Sequence, residues 1–469
     1  MYHHQPNRIN LLRQQNMNQP ITDTIYALAT PQGKSAIAVI RLSGPLSRTV
    51  PELFGLSKQI APRQVSYLSL LDRNRTVLDE VIFFWFKGPA SATGEDMAEI
   101  QCHGSAAVIQ DILDVLGSAS GFKMAKPGEF TRRALDHDKI DMTAAEGLAD
   151  LIDAETSLQR QQATAQMRGR LKQPVSEWRE MIISQAALLE SLIDFADEEL
   201  PASLEAEMSA ALDRLIASLQ TALDDQQIGE LIRSGIEVAI IGPVNAGKST
   251  ALNALAKRPA AIISHQEGTT RDVIEVKLNI GGIPVILMDT AGIRHTEDDI
   301  ERQGIALARK HAKTADFRLF VVDGSKSGWQ QELAPLLESV EGKGLIIANK
   351  ADLTAPNLRT ETDFGEYDVL YLSLHRNEDI EKLEQRLTQS LAVANQEAGN
   401  AIITRARHRE ALTTAYHHLV AARQLDIESQ TELVAEEFRA AASAMSRILG
   451  YIDVEDILDH IFSRFCIGK

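Results

Sequence analysis

At 469 residues the chain is longer than a single hydrophobic core usually organises, so roughly two to three domains are expected. Its 65 acidic against 48 basic side chains leave a formal charge of −17, which argues against a whole-surface grip on nucleic acid and leaves any such contact to local patches or a partner. The two cysteines, Cys102 and Cys466, cannot build a disulfide framework, which suits a reducing cytosol, and apolar runs such as "VIFFWF" are too short to span a bilayer.

Residues 1–21 hold no acid and a few arginines; they read as a disordered leader, or as a start placed too early, since Met17 lies just before the first ordered-looking segment. From "TIYALATPQGKSAIAVIRLSGP" to about residue 120, short β-rich runs punctuated by Gly and Pro predict a mixed sheet domain. The texture changes at "DMTAAEGLADLIDAE". Through about residue 230, Leu171, Val175, Trp178, Ile182, Ala186, Leu189 and Ile193 recur at three and four, one apolar helical stripe. Pro174 lies inside that stripe and is expected to start a helix or kink one, because it removes an amide donor.

From "IEVAIIGPVNAGKST" to about residue 390, strands alternate with helical stretches, as a parallel sheet covered by helices requires, with "RLFVVDG" and "GLIIANK" as buried strands. Beyond it His408, Leu412, Ala415, Leu419, Val434, Phe438, Ala441, Met445 and Leu449 restore the helical period through to Phe465. Helical texture on both sides of an α/β block predicts a domain inserted into a helical bundle, since domain termini usually lie close together.

"GPVNAGKST" follows an apolar strand and precedes a helical "ALNALAK", the context a phosphate-binding loop needs. Gly242 and Gly247 let the backbone turn its amides toward phosphates at a helix N-terminus, Lys248 neutralises the outer phosphates, and Ser249 offers a hydroxyl to Mg²⁺. Downstream come "GTTRD", "DTAG" and "NKAD" in the order and spacing of a GTPase. Thr270 is placed to reach Mg²⁺, Asp289 to hold its water shell, and Gly292 to offer an amide to the γ-phosphate. Guanine presents two donors side by side, so the Asp352 carboxylate accepts both, whereas adenine presents an acceptor that would repel it. Lys350 lays its stem along the ring and Asn349 ties the loops together.

The four motifs thus assign GTP and its ions to Asn245, Ala246, Gly247, Lys248, Ser249 and Thr250; to Gly268, Thr269 and Thr270; to Asp289, Thr290, Ala291 and Gly292; and to Asn349, Lys350 and Asp352. Ile293 stands where Ras-like proteins carry a water-orienting glutamine, so water must be activated differently, with Asn245 helping to hold a monovalent cation in place of an arginine finger. The tail "SRFCIGK" is not a prenylation signal, because Gly468 and Lys469 replace the required residues and the preceding "DVEDILDH" is acidic.

Longer motifs reach beyond generic GTPase loops: "ATPQGKSAIAVIRLSG", "GEDMAEIQCHGS", "KPGEFTRRALDHDKIDMTAAEGLADLI", "DFADEE", "DTAGIR", "IERQGI" and the terminal "FCIGK". From about Thr22 to Lys469 the chain resembles the MnmE (TrmE) family of tRNA uridine modification GTPases. The resemblance implies a multidomain α/β and α+β chain. Its parts would be an N-terminal folate-binding α+β dimerisation domain over 22–137, an α-helical bundle domain from 138–232 and 398–469, and an inserted Ras-like P-loop GTPase domain over 233–397.

It further implies a cytoplasmic homodimer that works on tRNA with an FAD- and NADH-dependent MnmG-type partner, in a heterotetramer or larger complex and away from membranes. Together they would add an aminomethyl or carboxymethylaminomethyl group to C5 of the wobble uridine, with the carbon drawn from a tetrahydrofolate derivative, the 5,10-methylene or 5-formyl form. By motif, Asn245, Ser264, Gln266 and Thr269 would form a K⁺ site, His265, Glu267 and Ser373 would join the nucleotide-binding loops, Glu301 would position water, and Arg41, Glu99, Lys139 and the terminal Lys469 would meet folate, with Cys466 near the transferred carbon.

Plainer readings stand beside these. Arg41 could be a strand-edge ion pair, Lys139 a solvated helix start, Glu301 an acid on an exposed helix face, and Cys466 a small buried hydrophobe. Cys102 beside His103 lacks a second ligand pair for a metal, and "DFADEE" reads as a solvated helix end. Leu374 and His375 depart from the Ala-Arg or Ala-Lys of the family, which leaves guanine contacts there open. The G domain alone would also suit an Era-like regulatory or ribosome-assembly GTPase, yet no basic, aromatic-laced RNA-binding segment is visible.

Overall fold

The computed structural model describes residues 23–57, 59–194, 202–225, 227–257, 261–262, 275–289, 313–340, 342–354, 364–365, 367–398, 401–452, 458, 461–462, 465 and 468. The chain forms two compact units, Met1–Ala149 together with Ser446–Lys469, and Asp150–Met445.

The first unit is built on a six-stranded sheet of β1 (Thr24–Leu28), β2 (Ser35–Ser43), β3 (Ser66–Leu71), β4 (Val77–Phe86), β5 (Met97–Gly104) and β6 (Phe122–Met124), in the order β3-β4-β5-β2-β1-β6. Only the β1–β6 pair is parallel. Alternation decides the faces: Ala38, Ile40 and Leu42 of β2 and Val81, Phe83 and Trp85 of β4 are buried in one core, covered by α1 (Ala106–Gly117) through Ile112 and Leu116. Arg41 and Glu99 fall on the opposite face and pair across the β2–β5 ladder.

Phe130 of α2 (Glu129–Asp136) joins Ile25, Ala27 and Met97 in a smaller cluster. Before α3 (Met142–Asp153), Asp141 Oδ1 accepts the Ala144 amide at 3.0 Å and the Thr143 hydroxyl at 2.6 Å, which satisfies helix-end donors. Leu458, Ile461, Phe462 and Phe465 near the C-terminus pack with Leu135 and Met142, so segments far apart in sequence share one core.

In the second unit, α4 (Ser157–Met167) opens with a capping box between Thr156 and Gln159. Along α5 (Lys172–Asp194) every stripe residue from Val175 to Leu189 is buried, as is Leu171 just before it. Pro174 is the third residue of α5, where the amide has no intrahelical acceptor, so the expectation of a helix start holds. α6 (Ala202–Leu223) buries Met208, Leu212, Leu215 and Leu219. α7 (Ile228–Ser234) then leads into the sheet strand β7 (Ile236–Ile241).

The seven-stranded sheet has the order β13-β12-β11-β7-β10-β9-β8, with β8 (Ala261–Ile262), β9 (Glu275–Ile280), β10 (Ile283–Asp289), β11 (Phe317–Asp323), β12 (Gly344–Asn349) and β13 (Asp368–Tyr371). Every residue of β11 is buried: Phe317, Leu319 and Val321 face one core and Phe320 and Val322 the other, as a sheet covered on both sides requires. The helices α8 (Lys248–Ala256), α9 (Trp329–Glu338) and α10 (Asn377–Ala398) provide that cover. The expected parallel sheet is confined to five strands. β9 runs antiparallel to β10, because the short turn at Gly281 and Gly282 folds the chain straight back, and β8 runs antiparallel to β9.

After the sheet, α11 (Ala406–Gln424) and α12 (Thr431–Leu449) complete the bundle, and the stripe from His408 to Leu449 is buried throughout. The insertion's two ends are tied together. Arg405 and Arg233 both bond Asp150 Oδ1, at 2.7 and 2.9 Å, and Arg409 bonds Asp225 at 2.5 Å and Glu230 at 3.0 Å. Where the chain leaves the bundle and where it returns are therefore neighbours. Among the described residues no helix is long and apolar enough to cross a membrane.

Candidate functional site

The phosphate loop runs from the end of β7 to α8, whose first residue is Lys248. Gly247 has φ +105°, and a Cβ there would lie 2.2 Å from Asn349 Nδ2, so only glycine fits the approach of the two loops. The Lys248 ammonium donates to the carbonyls of Gly242 and Pro243, both at 2.8 Å, which curls the loop around it. Ala246 is buried beneath, Asn245 takes φ +63° at the exposed tip, and Ser249 and Thr250 lie in the first turn of α8. The helix N-terminus, with the positive end of its dipole, makes this an anion-binding end.

Asn349, at the end of β12, is 3% exposed and acts as a tie rod. Its Nδ2 donates to Ala246 O at 2.9 Å, and its Oδ1 accepts from the Leu374 amide at 3.2 Å, so one side chain joins the phosphate loop to the loop after β13. Leu374, where the family's pattern is broken, is buried and uses only its backbone for this bond. Ser373 is buried beside it. Its hydroxyl, bonded to Asp352, holds that carboxyl below the ordinary carboxylate range, with Arg376 and His375 adding positive charge.

Lys350 pairs through Nζ with Asp323 Oδ2 at 2.6 Å. Asp323 was not singled out by sequence reasoning; the available signal was an aspartate closing the apolar run "LFVV". β10 ends at Asp289, in register beside Ile240 of β7, which brings that position to the same edge of the sheet as the loop.

A second constellation lies in the first unit. Arg41 bonds Glu99 through both Nε and Nη2 at 3.0 Å, and its Nη1 donates to the Gly468 carbonyl at 3.4 Å. β2 is an inner strand, so this is no strand-edge pair. Lys139 is exposed in the turn between α2 and α3, its amide donating to Ala134 O at 2.8 Å. Ser264, His265, Gln266, Glu267, Gly268, Thr269, Thr270, Thr290, Ala291, Gly292, Glu301, Cys466 and Lys469 lie outside the described residues, as do Ile293 and most of "DFADEE". Among the described residues no group of three or more His, Cys, Asp or Glu side chains could hold a metal ion.

Two family models match the chain, one described as "GTP-binding protein TrmE N-terminus" over residues 24–139 and one as "MnmE helical domain" over residues 142–466. A protein of Parvibaculum lavamentivorans named tRNA modification GTPase MnmE is 44% identical over 452 residues, covering 95% of this chain and 100% of its own. Proteins of the same name from Ruegeria pomeroyi and Phenylobacterium zucineum are 44% and 42% identical over 450 and 466 residues, again covering 100% of their own length. The motifs, the tied nucleotide loops and these matches along nearly the whole chain agree, and the chain belongs to the MnmE (TrmE) family.

Proposed function

We propose that the chain is a GTP-hydrolysing tRNA modification enzyme. The observation that carries this reading is the similarity, over 95% of the chain, to full-length proteins named as tRNA modification GTPases. The geometry of the nucleotide loops supports the GTPase half. The amides at the head of α8 and the Lys248 ammonium would hold phosphates, and Asp352, kept ionised, would accept both donors of a guanine. Ser249 and Thr270 would hold Mg²⁺, and Asn245, Ser264, Gln266 and Thr269 would hold K⁺. The exposed, left-handed Asn245 at the loop tip suits such a role. When bound, the two ions supply positive charge where negative charge builds up during phosphoryl transfer, and Glu301 would orient the attacking water.

The finer reading is that the enzyme works as a cytoplasmic homodimer with an FAD- and NADH-dependent MnmG-type partner. Together they install an aminomethyl or carboxymethylaminomethyl group on C5 of the wobble uridine of certain tRNAs. A tetrahydrofolate derivative, carried by Arg41, Glu99, Lys139 and Lys469 with Cys466 near the transferred carbon, supplies the one-carbon unit. The Arg41–Glu99–Gly468 contact supports this, since it seats the tail beside two of those residues. We divide the chain into a folate-binding domain over 22–137, a helical domain from 138–232 and 398–469, and a G domain over 233–397. The Era-like alternative does not account for the matched N-terminal and helical segments.

The decisive experiment is mass spectrometry of tRNA nucleosides from cells lacking the protein. Loss of the wobble C5 substituent is expected; unchanged nucleosides would refute the proposal.

A further inference from the structure

Asp323 closes β11, and its two carboxylate oxygens have separate partners. Oδ1 accepts from the Ser325 hydroxyl at 2.6 Å and the Ser325 amide at 3.2 Å, while Oδ2 receives the Lys350 ammonium at 2.6 Å. The residue is 7% exposed. Burial pushes its carboxyl up, but Lys350 and Ser325 more than offset this, so it stands charged below the ordinary carboxylate range. Asp323 is also opposite Asn349 in the β11–β12 ladder, and the Gly324 amide donates to Asn349 O at 2.8 Å. The aspartate and the "NKAD" loop are thus one rigid corner.

Lys350 needs such an anchor. It takes φ +62°, a left-handed conformation that side chains other than glycine, asparagine and aspartate seldom adopt without support. A lysine stem with a free ammonium spreads over many rotamers, whereas one whose ammonium is fixed at the end of a buried strand is extended before any ligand arrives. The same pairing neutralises a charge that would otherwise sit beside the base.

We infer that Asp323 is a positioning residue for guanine recognition: by holding the Lys350 ammonium it pre-sets the lysine stem along which the purine ring lies. The inference rests on the guanine-nucleotide reading above and adds a residue to it. Ser325, gripping the other oxygen, is the support behind the anchor.

The test uses the full-length chain and fluorescent methylanthraniloyl-GDP. Asp323→Asn keeps the shape and removes the charge; affinity falls by about tenfold, the scale of one charge-assisted hydrogen bond lost. Lys350→Gln falls by a similar factor, and the double variant binds no more weakly than Lys350→Gln alone, because both changes break the same pair. In turnover the loss falls on KM for GTP rather than on kcat. Ser325→Ala, a milder change should Asp323→Asn fail to fold, weakens binding by about two- to threefold. Wild-type affinity in Asp323→Asn, or in Ser325→Ala where Asp323→Asn does not fold, overturns the inference, as does a double variant whose loss is the product of the single losses. A wild-type chain that binds no guanine nucleotide removes the reading beneath it as well.

Discussion

Arg41 and Gly468, 427 positions apart in the chain, meet through a hydrogen bond from the guanidinium Nη1 to the Gly468 carbonyl at 3.4 Å. Gly468 is confined there: it has φ +103°, and a Cβ would lie 2.4 Å from Leu28 O and 2.8 Å from Ala29 Cα. Those clashes are with backbone and cannot be relieved by a rotamer change. Gly468→Ala is therefore expected to lift the tail from β1 while the fold stays intact. On the folate reading, affinity for 5-formyltetrahydrofolate then drops by about tenfold or more in calorimetric titration. Unchanged affinity would separate the tail from the pterin site.

Legibility in the sequence follows the range of the interaction. The stripe from Leu171 to Leu189 was readable because a helix buries one face at a fixed local period, and each of its residues is buried. β11 was readable as a strand covered on both sides because five of its seven residues are large and apolar, on both alternating sets of positions, with Arg318 near its start and Asp323 at its end. The antiparallel arrangement of β8, β9 and β10 was not, since alternating strands and helices carry no sign of which edge strand reverses. The facing of Arg41 on Glu99 comes from ladder register between strands 58 positions apart, which no spacing rule contains; only resemblance to a family pointed to both residues. Asp323 was missed for the same reason, since its partner Lys350 lies just past the end of the neighbouring strand β12.

Arg133 is a second residue whose weight shows only in three dimensions. Its side chain is 6% exposed and meets Glu95 at 3.0 Å and Asp23 at 2.9 Å, with Glu129 at 3.5 Å. Arg133→Met would leave Glu95, itself 8% exposed, charged without its main counter-ion. Breaking one side of a buried pair costs about 3–5 kcal/mol, so the first unit should melt first and well below its wild-type temperature in calorimetry. An unshifted melting curve would mean that water, the Ser43 hydroxyl and His137 already satisfy the carboxylate.

Cys102 is buried in the first core, and burial, with the Asp79 charge as a second cause, pushes its thiol up to about 11. The free thiol ionises near ~8.5. Folding therefore favours the protonated form, and the stability it contributes is present below pH ~8.5 and lost as pH rises toward the folded value. The folded protein should resist iodoacetamide at Cys102 at pH 8, with modification appearing only on unfolding, and Cys102→Ala should flatten the decline of first-unit stability above pH ~8.5. Rapid alkylation of the native protein, followed by peptide mass spectrometry, would contradict the buried placement.

Asn245 stands exposed at the tip of the phosphate loop with φ +63°, where its carboxamide is free to face an ion beside the phosphates. If K⁺ there replaces an arginine finger, GTP turnover should be at least about tenfold faster in K⁺ than in Na⁺, and Asn245→Ala should erase the difference. Equal rates in the two salts would require another source of positive charge at the transition state.

Asn349 offers the sharpest test of how the nucleotide loops are assembled. Asn349→Ala deletes three bonds of a buried side chain, leaving the Ala246 carbonyl and the Leu374 and Lys350 amides to find new partners in a space that admits little water. An unsatisfied buried polar group costs about 1–3 kcal/mol, and the cheapest escape is for the two loops to part. Because β12 and its neighbours are held by their own ladders, the sheet should survive with far-ultraviolet circular dichroism unchanged. Nucleotide affinity should then fall by about ten- to a hundredfold, since the phosphate loop and the Asp352 corner must be reassembled on binding. Affinity within a factor of about two of wild type would mean that the loops are held in register by the nucleotide itself and not by the side chain between them.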